Sequence, residues 1–269
     1  MELMSVMIKR VYIFIFIPIL ACLLPSMEAA GQTIAVRVMS MNIKEGASYA
    51  SNKSEPYAEL IKEYAPDFVC LQEVDYKTIR NGNRDWLNEV ARQTGMFPYY
   101  CKSFSYQGGG FGTAILSKYP FFKAFKTIFS ASGTREDRAS GWVYVQLPAG
   151  QTVRVATTHL ALESADITTK HIASVNTAIF AEDTVTPTLL VGDFNATPDS
   201  DPIKYAKIKW QEIAPGKGNT IPSSNPNRQL DYVMGYPKNW TYSKYEIIAH
   251  PELSDHCFIV ADVSIDMNE

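Results

Sequence analysis

The sequence predicts an α+β fold in which two mostly antiparallel β-sheets pack face to face and helices cover their outer sides. Segments rich in β-branched residues outnumber helical patterns, and connections such as residues 147–151 are short enough for hairpins. A purely parallel sheet would instead need a long crossover, usually a helix, between paired strands. With 269 residues, of which 46% are apolar, the chain can bury a large core.

The predicted strands are runs of β-branched and aromatic residues bounded by turn-forming residues. In chain order they cover residues 34–41, 67–74, 113–117, 141–147, 152–158, 187–191, 230–234, 245–248 and 257–263. No internal repeat or linker-like stretch separates them. We therefore expect one domain over residues 31–269.

Three helices are predicted from apolar residues spaced at i, i+3, i+4 and i+7. The first follows Ser54 and Pro56, which are typical of a helix start. The second is expected to end at Gly95, and the third covers residues 166–181. So few helices fit outer layers around the sheets.

Three stretches, residues 43–53, 99–112 and 214–229, are rich in Gly, Ser, Pro and Asn and are predicted to be irregular. Loops of this length in a compact domain are usually functional, so we expect them to form walls of a site. The second stretch contains the aromatic residues Tyr99, Tyr100, Phe104, Tyr106 and Phe111. These rings could line a pocket for a ring or acyl group, or they could pack onto their own domain.

Residues 1–30 have the pattern of a secretory signal peptide. Lys9 and Arg10 precede an apolar run over residues 11–24, which small residues follow. The run is shorter than the roughly 20 apolar residues that a membrane-spanning helix needs. We expect export to the periplasm or the extracellular space by a cleaved peptide, with a lipid anchor through Cys22 as the alternative, and no transmembrane segment later in the chain.

Polar side chains stand at the ends of the predicted strands. Four strands end in Asn42, Glu73, His159 and the pair Asp193 and Asn195, whereas Asp231 and the pair Asp255 and His256 precede two further strands. One such residue is ordinarily a turn former. In an antiparallel sheet, however, the end of one strand lies beside the start of its neighbour. We therefore expect the whole set to meet at one edge of the sheets.

The residue types in this set indicate a metal site. Asp193 and Asn195 project to the same face if residues 192–195 are extended. Carboxylate and amide oxygens suit a hard divalent cation such as Mg²⁺ or Mn²⁺, whereas the thiolates or third His that zinc favours are missing from the set. Such a cation commonly binds together with a substrate phosphate. A phosphate-linked substrate is therefore expected.

Seven short motifs occur in a fixed order between residues 34 and 263. They are Met41-Asn42, Leu71-Gln72-Glu73-Val74, residues 112–118, Thr158-His159-Leu160, residues 192–198, Leu230-Asp231-Tyr232-Val233 and Ser254-Asp255-His256. This order resembles the endonuclease/exonuclease/phosphatase superfamily of deoxyribonuclease I-like, metal-dependent phosphoesterases. The resemblance implies a four-layer α/β/β/α sandwich of two mostly antiparallel sheets, in agreement with the strand pattern.

The resemblance also implies roles for individual residues. Glu73, with Asn42 and Asp255, would hold a Mg²⁺ or Mn²⁺ ion against a phosphate oxygen. Asp231 would orient His256, which would either activate water or stabilise the transition state. The implied catalytic residues are His256, Asp231, Asp193, Asn195 and His159, and the implied phosphate contacts are Asn195, His159 and Arg138.

The sequence favours a small phosphodiester, a sugar phosphate or a lipid headgroup over nucleic acid as the substrate. The 25 basic and 28 acidic residues give a net charge of −3, which argues against an extended basic surface. Asp75 stands where similar abasic-site endonucleases have Lys, and Lys118 and Arg228 are expected to be solvated surface charges. A secreted nuclease of the same superfamily and a non-catalytic binding module on the same scaffold remain as alternatives. We expect a monomer.

Overall fold

A computed structural model describes residues 33–45, 53–130 and 132–267. The predicted signal peptide, the alternative anchor at Cys22 and most of the predicted loop 43–53 lie outside the described residues. The division of the chain at residue 31 therefore stays a prediction. No helix in the described ranges is long and apolar enough to cross a membrane.

The described residues form two six-stranded sheets, and all of the predicted strands are present. In chain order the strands are β1 (Thr33–Asn42), β2 (Phe68–Tyr76), β3 (Phe97–Tyr106), β4 (Gly109–Ser117), β5 (Phe121–Phe129), β6 (Arg138–Gln146), β7 (Thr152–His159), β8 (Thr188–Asp193), β9 (Gln211–Glu212), β10 (Asp231–Tyr236), β11 (Thr241–Ile248) and β12 (Phe258–Asp266). The first sheet has the order β11-β12-β1-β2-β4-β3, and the second has the order β5-β6-β7-β8-β10-β9.

Four helices accompany the strands in this part of the chain: α1 (Glu55–Tyr64), α2 (Trp86–Thr94), α3 (Ala165–Glu182) and α4 (Asp201–Lys209). The three predicted helices are confirmed. Pro56 lies in the first turn of α1, and α2 ends at Gly95, whose φ of 73° is the left-handed conformation that glycine adopts without strain. Helix α4, which also has a Pro in its first turn, was not predicted.

Alternating residues divide the apolar side chains among three cores. In β2, Phe68 and Cys70 pack between the two sheets, whereas Val69 and Leu71 face α1 and α2. In the second sheet, Leu190 faces α3 and α4. The layers are therefore helices, sheet, sheet and helices. This arrangement confirms the predicted four-layer α/β/β/α sandwich.

The prediction that residues 99–112 form an irregular loop is wrong. β3 and β4 form an antiparallel hairpin in which Tyr106 pairs with Gly109. The Gly and Ser residues hid an alternation in which Cys101 is buried and Lys102 is only partly buried. Cys101 packs so close to Gly141 of the second sheet that a Cβ added at Gly141 would lie 1.8 Å from its Sγ. The two sheets thus make their close approach at this hairpin.

Each sheet contains one parallel pair, and each of these pairs is connected through a helix. β1 runs through α1 to β2, and β7 runs through α3 to β8. The carboxyl ends of parallel strands lie at the same edge of a sheet. The two pairs therefore bring the carboxyl-terminal parts of β1, β2, β7 and β8 to two sheet edges, where polar residues predicted from the sequence are found.

Candidate active site

Strand register places the predicted residues next to one another. His159 pairs with Asp193 across the parallel strands β7 and β8, and Asp231 pairs with Asp193 across the antiparallel strands β8 and β10. In the first sheet, Asn42 pairs with Gln72, the residue before Glu73. The predicted polar residues therefore converge, and the cleft that they line lies where the edges of the two sheets meet.

The prediction that a strand ends at Glu73 is wrong, because β2 continues to Tyr76. Glu73 reaches this cleft because β2 is irregular at that point. The pairing of β2 with β4 shifts between Leu71 and Val74, so that one extra residue is present in β2. Glu73 has a φ of 59°, an uncommon value for a residue other than glycine. Bulges of this kind redirect a side chain and are often found beside active sites. The Gln72 side chain points between the sheets, where its Nε2 donates to Thr157 Oγ1 at 3.1 Å.

Asp193 is the centre of the contacts in the cleft. Its Oδ2 accepts a hydrogen bond from Asn42 Nδ2 at 3.1 Å and lies 3.5 Å from His159 Nε2 and 3.8 Å from His256 Nε2. The Asn42 Nδ2 also donates to Glu73 Oε1 at 3.2 Å. Asn42 therefore connects a carboxylate of the first sheet to one of the second.

His256 and Asp231 form a buried pair. The distance between His256 Nδ1 and Asp231 Oδ2 is 2.8 Å. Ser254 holds the segment before His256 in place, because its hydroxyl donates to the Asn42 carbonyl at 2.6 Å and accepts from the His256 backbone N–H at 3.1 Å. The Asp231 backbone N–H donates to Thr220 Oγ1 at 3.3 Å. The orientation of the imidazole is thus fixed by both sheets.

Asn195 lies in the cleft, but the expectation that residues 192–195 are extended is wrong. β8 ends at Asp193, and Asn195 has a left-handed φ of 50°. Its backbone N–H donates to Asp193 Oδ1 at 2.8 Å, which is a tight turn of the kind that Asp side chains favour. Its amide nitrogen donates to the Leu160 carbonyl at 2.9 Å.

Arg138 contacts the same group of residues from the start of β6. Its guanidinium lies 3.1 Å from His159 Nδ1 and 3.6 Å from Glu136 Oε2. Burial and the neighbouring Arg138 charge lower the pKa of His159 well below its usual value. His159 is therefore neutral at pH 7.

In the cleft, the carboxylates of Asp193 and Asp231 and the imidazole of His256 lie close together and are buried. Burial and the Asp231 carboxylate raise the pKa of Asp193 above its usual value. Burial lowers the pKa of His256, but the carboxylates of Asp231 and Asp193 outweigh it and raise that pKa. In the first sheet, burial raises the pKa of Glu73, and the nearby Lys44 charge opposes this effect.

Two sets of donors could hold a metal ion. Ligand atoms of Asp193, Asp231 and His256 lie within 4.8 Å of one another. The second set, predicted from the sequence, is Glu73, Asn42 and Asp255. Asp255 Oδ1 and Asp231 Oδ1 are buried oxygens without a hydrogen-bond partner in the described residues, as expected of carboxylates that can accept a cation. The carboxylate oxygens of both sets suit an oxygen-preferring cation.

The orientation of the second set differs from what a ligand role for Asn42 requires. The Asn42 Oδ1 accepts a hydrogen bond from the Lys44 backbone N–H at 3.1 Å, and its Nδ2 faces Glu73 and Asp193. An amide nitrogen does not bind a cation. The predicted metal role therefore rests on the carboxylates of Glu73 and Asp255, and in this arrangement Asn42 orients Glu73.

The cleft has a volume of about 800 Å³, and its walls differ in character. One wall, which we call the aromatic wall, consists of Phe104, Tyr106 and Phe111 from the β3–β4 hairpin. Arg80 packs 4.6 Å from the centre of the Tyr106 ring. Arg228 lines the cleft from the irregular segment 214–229, and its side chain is exposed, as predicted for a solvated charge.

The sequence match agrees with this geometry. A profile described as the Endonuclease/Exonuclease/phosphatase family matches residues 39–256. The chain belongs to this family. Members of the endonuclease/exonuclease/phosphatase family are metal-dependent phosphoesterases and nucleases that hydrolyse phosphoester bonds. No curated protein matches the sequence significantly.

Solved structures of the family share the fold at low sequence identity. An endonuclease/exonuclease/phosphatase from Bacteroides vulgatus is 16% identical, with a TM-score of 0.73 over 86% of this chain and 98% of the other. A mannosyl-6-phosphatase from Bacteroides thetaiotaomicron is 12% identical, with a TM-score of 0.68 over 85% of this chain and 99% of the other. Sphingomyelinase C from Streptomyces griseocarneus is 15% identical, with a TM-score of 0.65 over 85% and 99%.

The cleft of this family member also contains charged residues that sequence reasoning missed. Lys44, Glu45, Arg80 and Glu136 line it, although no recognised motif includes them. Lys44 lies in a left-handed turn directly after β1, so that strand periodicity did not give the direction of its side chain. Arg80 gave no signal, since its position depends on how the segment after β2 folds back onto the hairpin.

Proposed function

We propose that the protein is an exported, divalent-metal-dependent phosphoesterase that hydrolyses a small phosphodiester or phosphomonoester, such as a sugar phosphate or a lipid headgroup. One observation carries the proposal: the Asp193 carboxylate lies within 3.8 Å of the Asn42 amide and of two imidazoles, His159 and His256. Export rests on the pattern of residues 1–30. Mg²⁺ and Mn²⁺ are the cations that the oxygen donors suit best.

Glu73 and Asp255 would hold the cation, with Glu73 oriented by Asn42. When bound, the cation would neutralise charge on a phosphoryl oxygen and lower the pKa of a bound water. The buried carboxylate of Asp193 is positioned to orient the attacking water and to take its proton, because its raised pKa makes it a stronger base than an exposed Asp.

His256 would stabilise the charge that develops on the phosphoryl group. Asp231 keeps the imidazole protonated, so that Nε2–H is available as a charged donor beside Asp193. His159, which is neutral, and Arg138 would contact the phosphoryl oxygens from the other side. Asn195, fixed in its turn, would add a neutral contact. Of the two roles that the resemblance allows for His256, the geometry favours stabilisation of the transition state.

The size and lining of the cleft support a small substrate. A volume of about 800 Å³ lies within the range of roughly 300–1,000 Å³ that is typical of small-molecule sites. The aromatic wall offers ring faces against which a sugar ring or an apolar chain can pack. The predicted pocket role is thus supported for Phe104, Tyr106 and Phe111, whereas Tyr99 packs against the core between the sheets.

Three of the basic residues that line the cleft have close acidic partners, whereas Arg228 is exposed, and this balance argues against a nucleic-acid track. Arg80 is held by Asp75 at 2.6 Å and by Glu45 at 2.9 Å. Lys44 and Arg138 also have acidic neighbours, at 3.4 Å and 3.6 Å. A protein that wraps a polyanion needs cations that are available to many phosphates. The names of two structural neighbours, a mannosyl-6-phosphatase and a sphingomyelinase, fit the sugar phosphate and lipid headgroup classes.

A substrate panel tests this proposal. Purified protein is incubated with single- and double-stranded DNA, RNA, sphingomyelin, inositol phosphates and sugar phosphates, with Mg²⁺, with Mn²⁺ and with excess chelator. We expect chelator-sensitive release of phosphate or of a phosphorylated headgroup from a small substrate. Degradation of nucleic acid alone would establish the nuclease alternative, and a folded protein without any turnover would support the binding module.

A further inference from the structure

Lys44 carries a positive charge into the place where the cation is proposed to bind. Its Nζ lies 3.4 Å from Asp255 Oδ2, and its charge acts on the Glu73 carboxylate. We infer that Lys44 competes with the divalent cation for these carboxylates and moves to the phosphoryl group when substrate binds. Metal and substrate binding are then coupled. This inference rests on the proposed function.

The base of the Lys44 side chain is fixed, whereas the rest of the side chain is partly exposed in the cleft. Ile43 is fully buried, and the Lys44 backbone N–H donates to Asn42 Oδ1 at 3.1 Å. Lys44 and Glu45 both have left-handed φ values, 45° and 67°, which define a tight turn after β1. The Lys44 side chain is nevertheless 39% exposed and lines the cleft. A four-carbon stem on a rigid base can therefore swing its ammonium between nearby acceptors.

The charges of Lys44 and of the divalent cation determine whether Lys44 strengthens or weakens metal binding. The ammonium and a divalent cation repel each other if both contact Asp255, so that metal binding must displace Lys44. Opposite charges this close interact appreciably even when partly screened by water. Removal of the ammonium should therefore tighten metal binding about tenfold, since two carboxylates would lose a competing partner.

A phosphoryl group reverses this competition. Its oxygens offer Lys44 a second anionic acceptor in the same cleft, and Asp255 is then released to the cation. A substrate phosphate should thus tighten metal binding, and by linkage the metal should tighten phosphate binding by the same factor. Without Lys44 this source of coupling is lost, although direct contact between metal and phosphate remains.

Binding of Mn²⁺, measured by electron paramagnetic resonance and by calorimetry, tests the inference without turnover. The wild-type protein is compared with Lys44→Met and Lys44→Arg, each with and without inorganic phosphate. We expect Lys44→Met to bind Mn²⁺ about tenfold more tightly without phosphate and to gain less from phosphate than the wild type. Lys44→Arg should stay within about threefold of the wild type because it keeps the charge.

Two controls make the outcome decisive. Lys118→Met removes a Lys–Asp pair of similar length, 3.1 Å to Asp67, that lies away from the cleft, and it should leave Mn²⁺ binding unchanged. Glu73→Gln should weaken Mn²⁺ binding. If wild-type binding depends on Glu73 but Lys44→Met binds Mn²⁺ no more tightly, the inference about Lys44 is wrong while the proposed function stands. If the wild type binds no Mn²⁺, both are wrong.

Discussion

The two sheets use the same device to build different halves of the site. In each, a parallel pair connected through a helix brings polar residues to one edge. The first sheet contributes Glu73, and Asp255 stands before its strand β12 with a side chain that is 29% exposed. The second sheet contributes His159, Asp193 and Asp231, whose side chains are at most 6% exposed.

If the proposed function is right, this difference in burial gives the two sheets different tasks, metal binding in the first and proton transfer in the second. A metal ion that exchanges with solvent needs ligands that water can reach. Side chains that must keep a defined protonation state are instead best buried, because charges interact more strongly away from water. His256 joins the halves, because it precedes β12 of the first sheet yet pairs with Asp231 of the second. The predictions below test whether the two halves can be separated by mutation.

Replacement of His256 by Ala should have the largest effect. We expect turnover to fall by about a hundredfold to a thousandfold, because a charged donor aimed at the phosphoryl group is lost. Steady-state kinetics measures the loss, and circular dichroism verifies folding. His250→Ala is the matched control, since His250 pairs with Glu252 outside the site. Near-normal turnover in a folded His256→Ala protein would contradict the proposed role.

Glu73→Gln and Asp231→Asn should separate the halves. We expect Glu73→Gln to weaken Mn²⁺ binding by roughly tenfold to a hundredfold, with activity that partly recovers at high metal concentration, because a carboxylate ligand is lost. Asp231→Asn should lower turnover but leave Mn²⁺ affinity within about threefold. The measurement is a Mn²⁺ titration of turnover and of binding. If Asp231→Asn weakens Mn²⁺ as strongly as Glu73→Gln, the metal lies among Asp193, Asp231 and His256 instead.

Acid should lower the free energy of unfolding through His171, which lies in helix α3 on the outer side of the second sheet. Burial, with a contribution from Arg138, lowers the pKa of His171 to about 4, and its Nδ1 accepts from the Ala161 backbone N–H at 3.3 Å. Because the folded-state pKa lies below the unfolded value of about 6.5, stability is full above pH 6.5 and falls as the pH drops towards 4. The contribution of His171 should amount to about 2 kcal/mol lost at pH 5.

Urea unfolding at pH 7.5 and pH 5 measures this effect. His171→Asn keeps an acceptor for the Ala161 N–H but cannot become charged, so that its free energy of unfolding should change less between the two pH values than that of the wild type. Equal pH dependence of the two proteins would show that His171 is not the acid-sensitive group.

The smallest effect is expected at the aromatic wall. Tyr106→Ala should raise KM by about threefold to tenfold and leave kcat nearly unchanged, because a ring that packs on the substrate away from the phosphoryl group contributes to binding throughout the reaction. The substrate is the one identified by the panel, and Tyr242→Ala, on the exposed edge strand β11, is the control. A fall in kcat with unchanged KM would place Tyr106 in the chemical step instead.

Local patterns predicted most of the fold. The strands that were missed lack a clean alternation of apolar and polar residues, for a different reason in each case. β-branched runs and helix signals such as Pro56 and Gly95 determine the conformation of residues nearby in the sequence. Strands and helices can therefore be predicted from them without the structure. The β3–β4 hairpin was missed because Gly residues broke the alternation that defines a strand. The edge strand β5 was missed because several of its residues, including Phe122, are exposed, so that no clean apolar face marks it.

The residues of the site were predicted as a set, but their orientations were not. Asn42 and Asp193 end their strands and His256 stands just before β12, and sequence patterns locate such strand boundaries well. The bulge that turns Glu73 into the cleft and the left-handed turn at Asn195 depend on backbone geometry between strands. The place of Lys44 depends on the left-handed turn after β1, and that of Arg80 depends on how the segment after β2 folds back onto the β3–β4 hairpin, where its backbone N–H donates to the Gln107 side chain. Local patterns locate neither.

The close contact between Gly141 and Cys101 sets the distance between the two sheets at this point, and the residues of the cleft come from both sheets. Any side chain larger than hydrogen at residue 141 would collide with the thiol and push the two sheets apart. The same two sheets carry Glu73 and Asp193, and the Asn42 amide donates to both carboxylates. A substitution at residue 141, deep inside the sandwich, should therefore lower the proposed activity without any change to a residue of the cleft.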